Sequence, residues 1–231
     1  MGRAGHIAFI VGGSRAYTLA ESTTLEDAYE RKYRIVMEVI QDCVAHGIPT
    51  TTFLLLPQEI TSHKQYPLVI DSLVRFIDGL RGWKLVADSG MKFAVLGHWY
   101  NLPGRLVDSI KALIEDTKEH SGFVVNLCLN YDGRQEIVDA AKLMAHQVKA
   151  GKLDPDGITA ERIKENIYTS SLPAPDIIVK TGSSRRLAGF LLWDSVSAEI
   201  VITGKPWQYF DTTELRSAIK EFESRADPGQ S

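Results

Sequence analysis

The sequence predicts an α/β protein in which a single domain holds a central, mainly parallel sheet flanked by helices. Apolar runs of strand length alternate with segments of helical period, as in parallel strands joined by crossover helices. The chain has 231 residues, 44% of them hydrophobic, which is enough to bury one full core. Composition changes only in the last six residues. We therefore expect one domain over residues 1–225 and a flexible tail over residues 226–231.

Six apolar runs are predicted to be strands because they are short and bounded by turn-forming residues. In chain order they are His6–Val11, Thr50–Leu56, Lys92–Leu96, Phe123–Asn130, Asp176–Val179 and Glu199–Ile202. Ligands of open parallel sheets bind beyond the carboxyl ends of the strands. The loops that follow these runs are therefore the candidate site.

Two of the intervening helices are well marked. The first is predicted over Leu25–His46, where apolar residues follow the helical period, Thr23 and Glu26 form a capping box, and Gly47 stands just past the end. The second is predicted from about Arg134 to Ala150. Both helices lie between predicted strands in the sequence, as in a parallel sheet that is covered by helices.

Charge and cysteine content exclude several classes of protein. A net charge of -3 gives no general attraction to nucleic acid, and no apolar run is long enough to span a membrane. Cys43 and Cys128 lie inside apolar segments without metal-ligand spacing, so we expect buried free thiols in a reducing compartment. A cytoplasmic protein is the resulting expectation.

Three of the five loops after strands combine glycine with arginine: GGSRAY, YDGRQE and KTGSSRRLAG. Glycine lets the backbone approach an oxyanion, a helix N-terminus adds N–H donors, and a guanidinium binds phosphate oxygens in pairs. Each loop alone also fits a tight turn, but together they predict a polyphosphate site. The chain contains no GxxxxGK[ST] and no DDxxD, which argues against an ATP P-loop and against the helical, aspartate-rich prenyl synthases.

The motifs HIAFIVGG, LNYDGRQEI and LPAPDIIVKTGSSRRLAGFLLW, in this order, resemble the cis-prenyltransferase family, which includes undecaprenyl diphosphate synthases. The resemblance covers nearly the whole chain. It implies a homodimer whose subunits each contain a central parallel sheet. It also implies an enzyme that joins an allylic diphosphate to isopentenyl diphosphate with Mg²⁺.

The first motif departs from the family pattern. Relatives read close to MDGNGRW, and their aspartate carries Mg²⁺. Here Gly12 takes the place of that aspartate, and Ser14, Arg15 and Tyr17 follow. The resemblance therefore implies that the catalytic carboxylate has been lost.

The loop after the second strand departs as well. Relatives read close to FSxENWxRP, which helps to hold isopentenyl diphosphate. This chain has Pro57, Ile60, Thr61 and His63 where serine, asparagine, tryptophan and arginine would stand, and only Glu59 is kept.

The later half is better preserved. Lys180 replaces the first arginine of the family's RTSG stretch, and Arg186 matches its later arginine. Ala188 and Gly189 replace a serine and an asparagine. Glu199 matches the glutamate that, in the family, reaches Mg²⁺ from the partner subunit.

Three interpretations account for the missing aspartate. The first, which we favour, is a head-to-middle condensation of dimethylallyl diphosphate with an allylic diphosphate such as dimethylallyl or geranyl diphosphate. Its product would be a short, branched C10 or C15 diphosphate of the lavandulyl type, with cyclisation left open. The second is a non-catalytic partner subunit of a cis-prenyltransferase, and the third is an ordinary chain-elongating synthase.

The candidate site residues follow from the loops and the resemblance together. Arg15 and the other cations would neutralise the leaving diphosphate. The diphosphate-binding residues are Gly12, Gly13, Ser14, Arg15, Arg134, Lys180 and Arg186. The proton acceptor would be the released diphosphate or Tyr17, His63 or His98, and Glu199 would be the Mg²⁺ ligand. Product length would be limited by residues that crowd a tunnel: Phe53, Leu55, Phe76, Trp83 and Trp99.

Overall fold

The computed structural model describes residues 3–62 and 64–225. Its strands are β1 (His6–Ile10), β2 (Thr50–Pro57), β3 (Lys92–Leu96), β4 (Val124–Tyr131), β5 (Ile177–Lys180) and β6 (Glu199–Ile202). They form one sheet in the order β3-β4-β2-β1-β5-β6, and every neighbouring pair is parallel. The predicted fold class is confirmed, and each predicted strand is found to within one residue at either end.

Helices cover the sheet and carry the crossovers. They are α1 (Ser14–Glu21), α2 (Leu25–Ala45), α3 (Tyr66–Arg81), α4 (Lys84–Asp88), α5 (Gly104–Thr117), α6 (Gly133–Lys149), α7 (Ala160–Lys164) and α8 (Thr212–Arg225). Within the two described ranges, no helix is both long and apolar enough to cross a membrane. The predicted tail over residues 226–231 lies outside the described residues.

An aromatic cluster fixes β1 to the segment that follows β6. Phe9 of β1 stacks on Phe53 of β2 with ring centroids 4.8 Å apart, and Trp207 packs edge-on against Phe9 at 5.9 Å. All three side chains are fully buried. The chain that leaves the edge strand β6 is thus held beside the end of the central strand β1.

The start of α2 differs from the prediction by one residue. The capping box is formed by Thr24 and Asp27, not by Thr23 and Glu26: Thr24 Oγ1 accepts from Asp27 N–H at 3.0 Å, and the Asp27 carboxylate accepts from Thr24 N–H at 3.3 Å. Glu26 instead pairs with Arg75 of α3 at 2.8 Å. An acidic residue stands three positions after each threonine, so spacing alone could not separate the two boxes.

Other local predictions are confirmed. Gly47 has a φ of 64° after the end of α2, and the N–H of Ile48 donates back to the carbonyl of Cys43 at 2.9 Å, which closes the helix. Cys43 and Cys128 are free and buried. Burial in the apolar core raises the pKa of both thiols.

Candidate active site

The loop between β1 and α1, here called the glycine loop (residues 12–14), turns sharply into a helix. Gly13 has a φ of 100°, and a Cβ at this position would lie 2.6 Å from the Pro206 Cα atom, so only glycine fits. Helix α1 starts at Ser14, directly after this turn. The first N–H groups of a helix have no partner within it, so the glycine loop presents donors to an anion.

Two other segments hold the glycine loop in place. The Gly12 N–H donates to Thr181 Oγ1 at 3.0 Å, and the Gly12 carbonyl accepts from Trp207 N–H at 2.9 Å. Gln208 Nε2 donates to Ser14 Oγ at 2.8 Å. Sequence reasoning missed Thr181, Trp207 and Gln208. A threonine right after a strand and a W-x-x-F segment past the last strand are the only signals that could have indicated them.

Lys180 lies next to Gly12. Its side chain is buried, and its Nζ is 3.5 Å from the point that a Cβ on Gly12 would occupy. The ammonium donates to the carbonyl of Thr181, and burial lowers its pKa. The structure therefore places a cation beside Gly12, the position that the resemblance aligns with the family's aspartate.

A first cavity of about 300 Å³ opens in front of the glycine loop. One part of its wall is the loop with Arg15, and the rest is mostly apolar. The lining residues are Val11, Gly12, Gly13, Ser14, Arg15, Leu25, Tyr29, Lys32, Leu55, Leu56, Pro57, Ile60, Gln65 and Val69. Among the described residues that line it, Arg15 and Lys32 are the basic ones, and none is a carboxylate. Such a cavity suits an anion joined to a hydrocarbon tail.

A second cavity of about 320 Å³ adjoins the first at Pro57. Its walls come from the ends of β2 and β4, the start of α6 and the segment before residue 193. The lining residues are Pro57, Gln58, Glu59, Tyr131, Asp132, Arg134, Ala188, Gly189 and Leu192. The N–H of Gly133 donates to the carbonyl of Gly189 at 3.1 Å, which joins two of the three glycine and arginine loops.

Arg134 in the second cavity is partly neutralised. Its guanidinium donates to both carboxylate oxygens of Asp132, at 3.2 and 2.8 Å. These hydrogen bonds raise the pKa of Arg134 and lower that of Asp132. Arg134, a predicted diphosphate-binding residue, therefore lines the second cavity, but its positive charge is already shared with Asp132.

Arg15 and Arg186 are exposed, and in the described ranges neither guanidinium pairs with a carboxylate. Arg15 lines the first cavity. Arg186 follows β5 in the loop that ends at Gly189, and its backbone N–H donates to Ser184 Oγ at 3.3 Å. Both charges are available to an incoming anion.

The predicted proton acceptors are not gathered at the cavities. The ring of Tyr17 packs on Tyr209 at 5.2 Å, and Tyr17 lines neither cavity. His98 also lines neither, and its Nε2 lies 2.6 Å from a carboxylate oxygen of Asp139. His63 lies outside the described residues.

Glu199 starts β6, at the end of the sheet opposite the glycine loop. It is level with Ile177 of β5, which is level with Ile7 of β1. Gly12 is five residues farther along, or roughly 16 Å at the usual rise per strand residue. Glu199 pairs with Arg225 at 2.8 Å, and in residues 3–62 and 64–225 no group of three His, Cys, Asp or Glu could hold a metal. The described residues of one chain therefore do not fit Mg²⁺ at the glycine loop.

Comparisons with known proteins agree on one family. Residues 10–228 match a family model described as "Putative undecaprenyl diphosphate synthase". A geranylgeranyl-diphosphate-specific tritrans,polycis-undecaprenyl-diphosphate synthase of Methanopyrus kandleri is 32% identical, over 95% of this chain and 82% of the relative.

Two solved structures share the fold. Lavandulyl diphosphate synthase from Lavandula x intermedia, in complex with dimethylallyl diphosphate, matches with a TM-score of 0.91 at 23% identity, over 95% of each chain. A Campylobacter jejuni protein described as a probable undecaprenyl diphosphate synthase matches with a TM-score of 0.76 at 22% identity, over 96% of each chain.

Proposed function

Because the chain belongs to the undecaprenyl diphosphate synthase family of prenyltransferases, we propose that it joins two allylic diphosphates head to middle. The donor is dimethylallyl diphosphate, and the acceptor is a second dimethylallyl or a geranyl diphosphate. The product is a branched C10 or C15 diphosphate of the lavandulyl type. A solved synthase of that kind shares the fold, which makes this chemistry compatible with the scaffold.

The observation that carries the proposal is the glycine at position 12, which leaves the buried Lys180 ammonium beside the glycine loop and no carboxylate among the described residues of the first cavity. In the first cavity, a donor diphosphate would meet the N–H groups at the start of α1, the Arg15 guanidinium and the nearby Lys180 ammonium. Ionisation breaks the bond between C1 and the diphosphate oxygen, and the leaving group gains negative charge. Donors placed around such a charge are each worth about 10²- to 10³-fold in rate.

The second cavity is the proposed acceptor site. Arg134 and Arg186 would hold the acceptor diphosphate without driving its ionisation, since Asp132 already shares the charge of Arg134. The shared wall at Pro57 lets the donor C1 and the acceptor double bond approach from neighbouring cavities. Ile60 replaces a polar residue of the family pattern, which disfavours isopentenyl diphosphate as the acceptor.

A short product is supported by an aromatic row between α2 and α3. Tyr29 lines the first cavity, Tyr33 stacks on it at 6.1 Å, and Phe76 stacks on Tyr33 at 4.6 Å. The expectation that five residues crowd the tunnel is corrected by the structure. Of the five, Leu55 alone lines the first cavity, and Phe76 stands behind it.

The other three expected tunnel residues lie elsewhere. Phe53 packs inside the aromatic cluster on β1, Trp83 lines a separate cavity beside α4, and Trp99 packs against Tyr100 after β3. Their size suggested crowding, but their strands and turns direct them away from the first cavity.

A homodimer is supported by the exposed edge of the sheet. Ile200 and Ile202 on the edge strand β6 are 45% and 41% exposed, and Val196 just before it is 90% exposed. Apolar side chains on an unpaired strand edge favour burial against another chain. Mg²⁺ ligation by Glu199 requires such a second copy and stays a prediction, as does a cytoplasmic location. No catalytic step is assigned to the metal.

Chain elongation with isopentenyl diphosphate is the competing function, and the name of the Methanopyrus kandleri relative favours it. Product analysis separates the two. The purified protein is incubated with dimethylallyl diphosphate alone and with dimethylallyl plus isopentenyl diphosphate, and the products are identified by mass spectrometry and NMR. A branched product from allylic substrate alone supports the proposal. A linear product that requires isopentenyl diphosphate would refute it.

The partner-subunit hypothesis has its own outcome in the same assay. No turnover with any substrate pair, together with activation of a second homologous chain, would support that hypothesis instead. Arg105→Ala is a suitable control, because this exposed residue pairs with Asp71 on the surface and belongs to neither cavity.

A further inference from the structure

We propose that the Lys32 side chain accepts the proton that coupling releases, an inference that rests on the proposed head-to-middle reaction. Lys32 lies on α2 and is only 4% exposed, yet it lines the first cavity together with the glycine loop. It is a titratable group at the apolar part of the cavity. The other candidate acceptors that the structure describes, Tyr17 and His98, do not line it.

Burial favours the uncharged amine of Lys32, and it acts against the Leu55 carbonyl and two tyrosine rings, which favour the ammonium. Its Nζ donates to the Leu55 carbonyl at 3.2 Å and lies 5.4 and 5.5 Å from the ring centres of Tyr29 and Tyr33. No described carboxylate pairs with it, and burial lowers its pKa to about 7. Burial also raises the pKa of both tyrosines, which keeps them neutral.

One residue links Lys32 to the glycine loop. Trp207 Nε1 donates to the Lys32 carbonyl at 3.0 Å, and the backbone N–H of Trp207 donates to the Gly12 carbonyl at 2.9 Å. The backbone of Lys32 and the glycine loop are therefore held in a fixed relation. A general base needs this kind of positioning relative to the reacting carbon.

The step balances as follows. The C1–oxygen bond of the donor breaks and diphosphate leaves. The double bond of the acceptor then attacks C1 through its C2, which leaves a positive charge on C3 of the acceptor. The neutral Lys32 amine removes a proton from a methyl group on C3, and the electron pair of that C–H bond forms a terminal double bond. The resulting ammonium passes its proton to the released diphosphate or to water.

The test compares wild type with Lys32→Met, which keeps the side-chain length and removes the base. Rate and diphosphate release are measured from pH 5.5 to 9 with dimethylallyl diphosphate. We expect the wild-type rate to fall below an apparent pKa near 7. In the variant we expect formation of the product with the terminal double bond to slow about 10²- to 10⁴-fold and to lose its acid limb, while diphosphate release continues and water captures the coupled cation.

Lys84→Met is the matched control, because Lys84 is 89% exposed on α4 and should leave the profile unchanged. Lys32→Gln serves as a second variant should Lys32→Met fold poorly, and the same loss is expected. A variant that forms the terminal double bond at the wild-type rate and keeps the acid limb would overturn the role of Lys32. A linear, isopentenyl-dependent product from the wild type would overturn the proposed function. The role of Lys32 would still be decided separately, by comparing the pH–rate profiles of the wild type and the variant.

A second readout does not depend on activity. The folded-state pKa of Lys32 is about 7, below the ordinary value of 10.5, so the unfolded chain binds the extra proton between these pH values. The free energy of unfolding of the wild type should therefore rise with pH from about 7 toward 10 relative to Lys32→Met. Parallel curves for the two proteins would contradict a buried, uncharged amine.

Discussion

The two cavities at the carboxyl end of the sheet carry similar cations in different states. In the first, Arg15 and the adjacent Lys180 face no carboxylate among the described residues. In the second, Arg134 is already bound to Asp132 on both oxygens. Free positive charge stabilises a leaving group, whereas shared charge holds an anion without pulling its bond apart. Under the proposed function, the bond would break in the first cavity and the second would anchor the acceptor.

Among the variants considered, loss of Arg15 should lower the rate of bond breaking in the first cavity most strongly. Arg15→Ala leaves a donor diphosphate without its exposed guanidinium, and we expect kcat to fall roughly 30- to 1000-fold. Single-turnover release of diphosphate measures the effect, with Arg105→Ala as the control and thermal unfolding to confirm the fold. A change confined to KM would show that Arg15 only binds substrate.

Lys180→Met tests the buried cation next to Gly12. Hydrogen bonds to charged groups are worth about 1.5–3 kcal/mol, or about 10- to 150-fold in rate, and we expect a loss of kcat in that range. Steady-state kinetics with dimethylallyl diphosphate measures it. A wild-type rate in a folded variant would remove Lys180 from the account.

Gly12→Asp returns the carboxylate of the relatives and should pair with Lys180 instead of creating a metal site. A new Cβ would lie 3.5 Å from Lys180 Nζ and 3.1 Å from the Thr181 carbonyl oxygen. We expect about a tenfold loss beyond that of the isosteric, uncharged Gly12→Asn. Efficient use of isopentenyl diphosphate is not expected, because Ile60 and Thr61 still replace the family's asparagine and tryptophan. A gain of linear product would contradict this assignment.

Arg134→Ala tests whether the second cavity binds the acceptor without contributing to bond breaking. Since Asp132 already shares the charge of this exposed side chain, we expect KM for the acceptor to rise about two- to fivefold with kcat nearly unchanged. Varying geranyl diphosphate at fixed dimethylallyl diphosphate measures it. A kcat loss as large as that of Arg15→Ala would erase the difference between the cavities.

Glu199→Gln should have the smallest effect on kcat at saturating Mg²⁺. If Glu199 of a second copy contributes to Mg²⁺ binding, the Mg²⁺ concentration for half-maximal rate should rise by less than about tenfold, because diphosphate oxygens supply most ligands. A Mg²⁺ titration of both proteins checks this. An unchanged curve would remove Glu199 from the site.

The sequence was sufficient for the fold, since apolar period and turn residues located all six strands to within one residue. It also identified the loops that form the two cavities. It did not show that Arg134 is paired, because Asp132 and Arg134 stand only two residues apart and their contact depends on the start of α6. Nor did it single out Lys32, whose burial follows from the packing of α2 against β2 and Trp207. Composition and period describe which faces are apolar, but not which polar group is enclosed among them.

The most direct test of the central claim is a crystal structure with a non-hydrolysable dimethylallyl thiodiphosphate and Mg²⁺. The account predicts that the diphosphate lies on the N–H groups at the start of α1, with the Arg15 guanidinium in hydrogen-bond contact and the Lys180 ammonium next to Gly12. The prenyl tail should point toward Lys32. A diphosphate bound away from the glycine loop, or held through a metal on a carboxylate of the same chain, would contradict it.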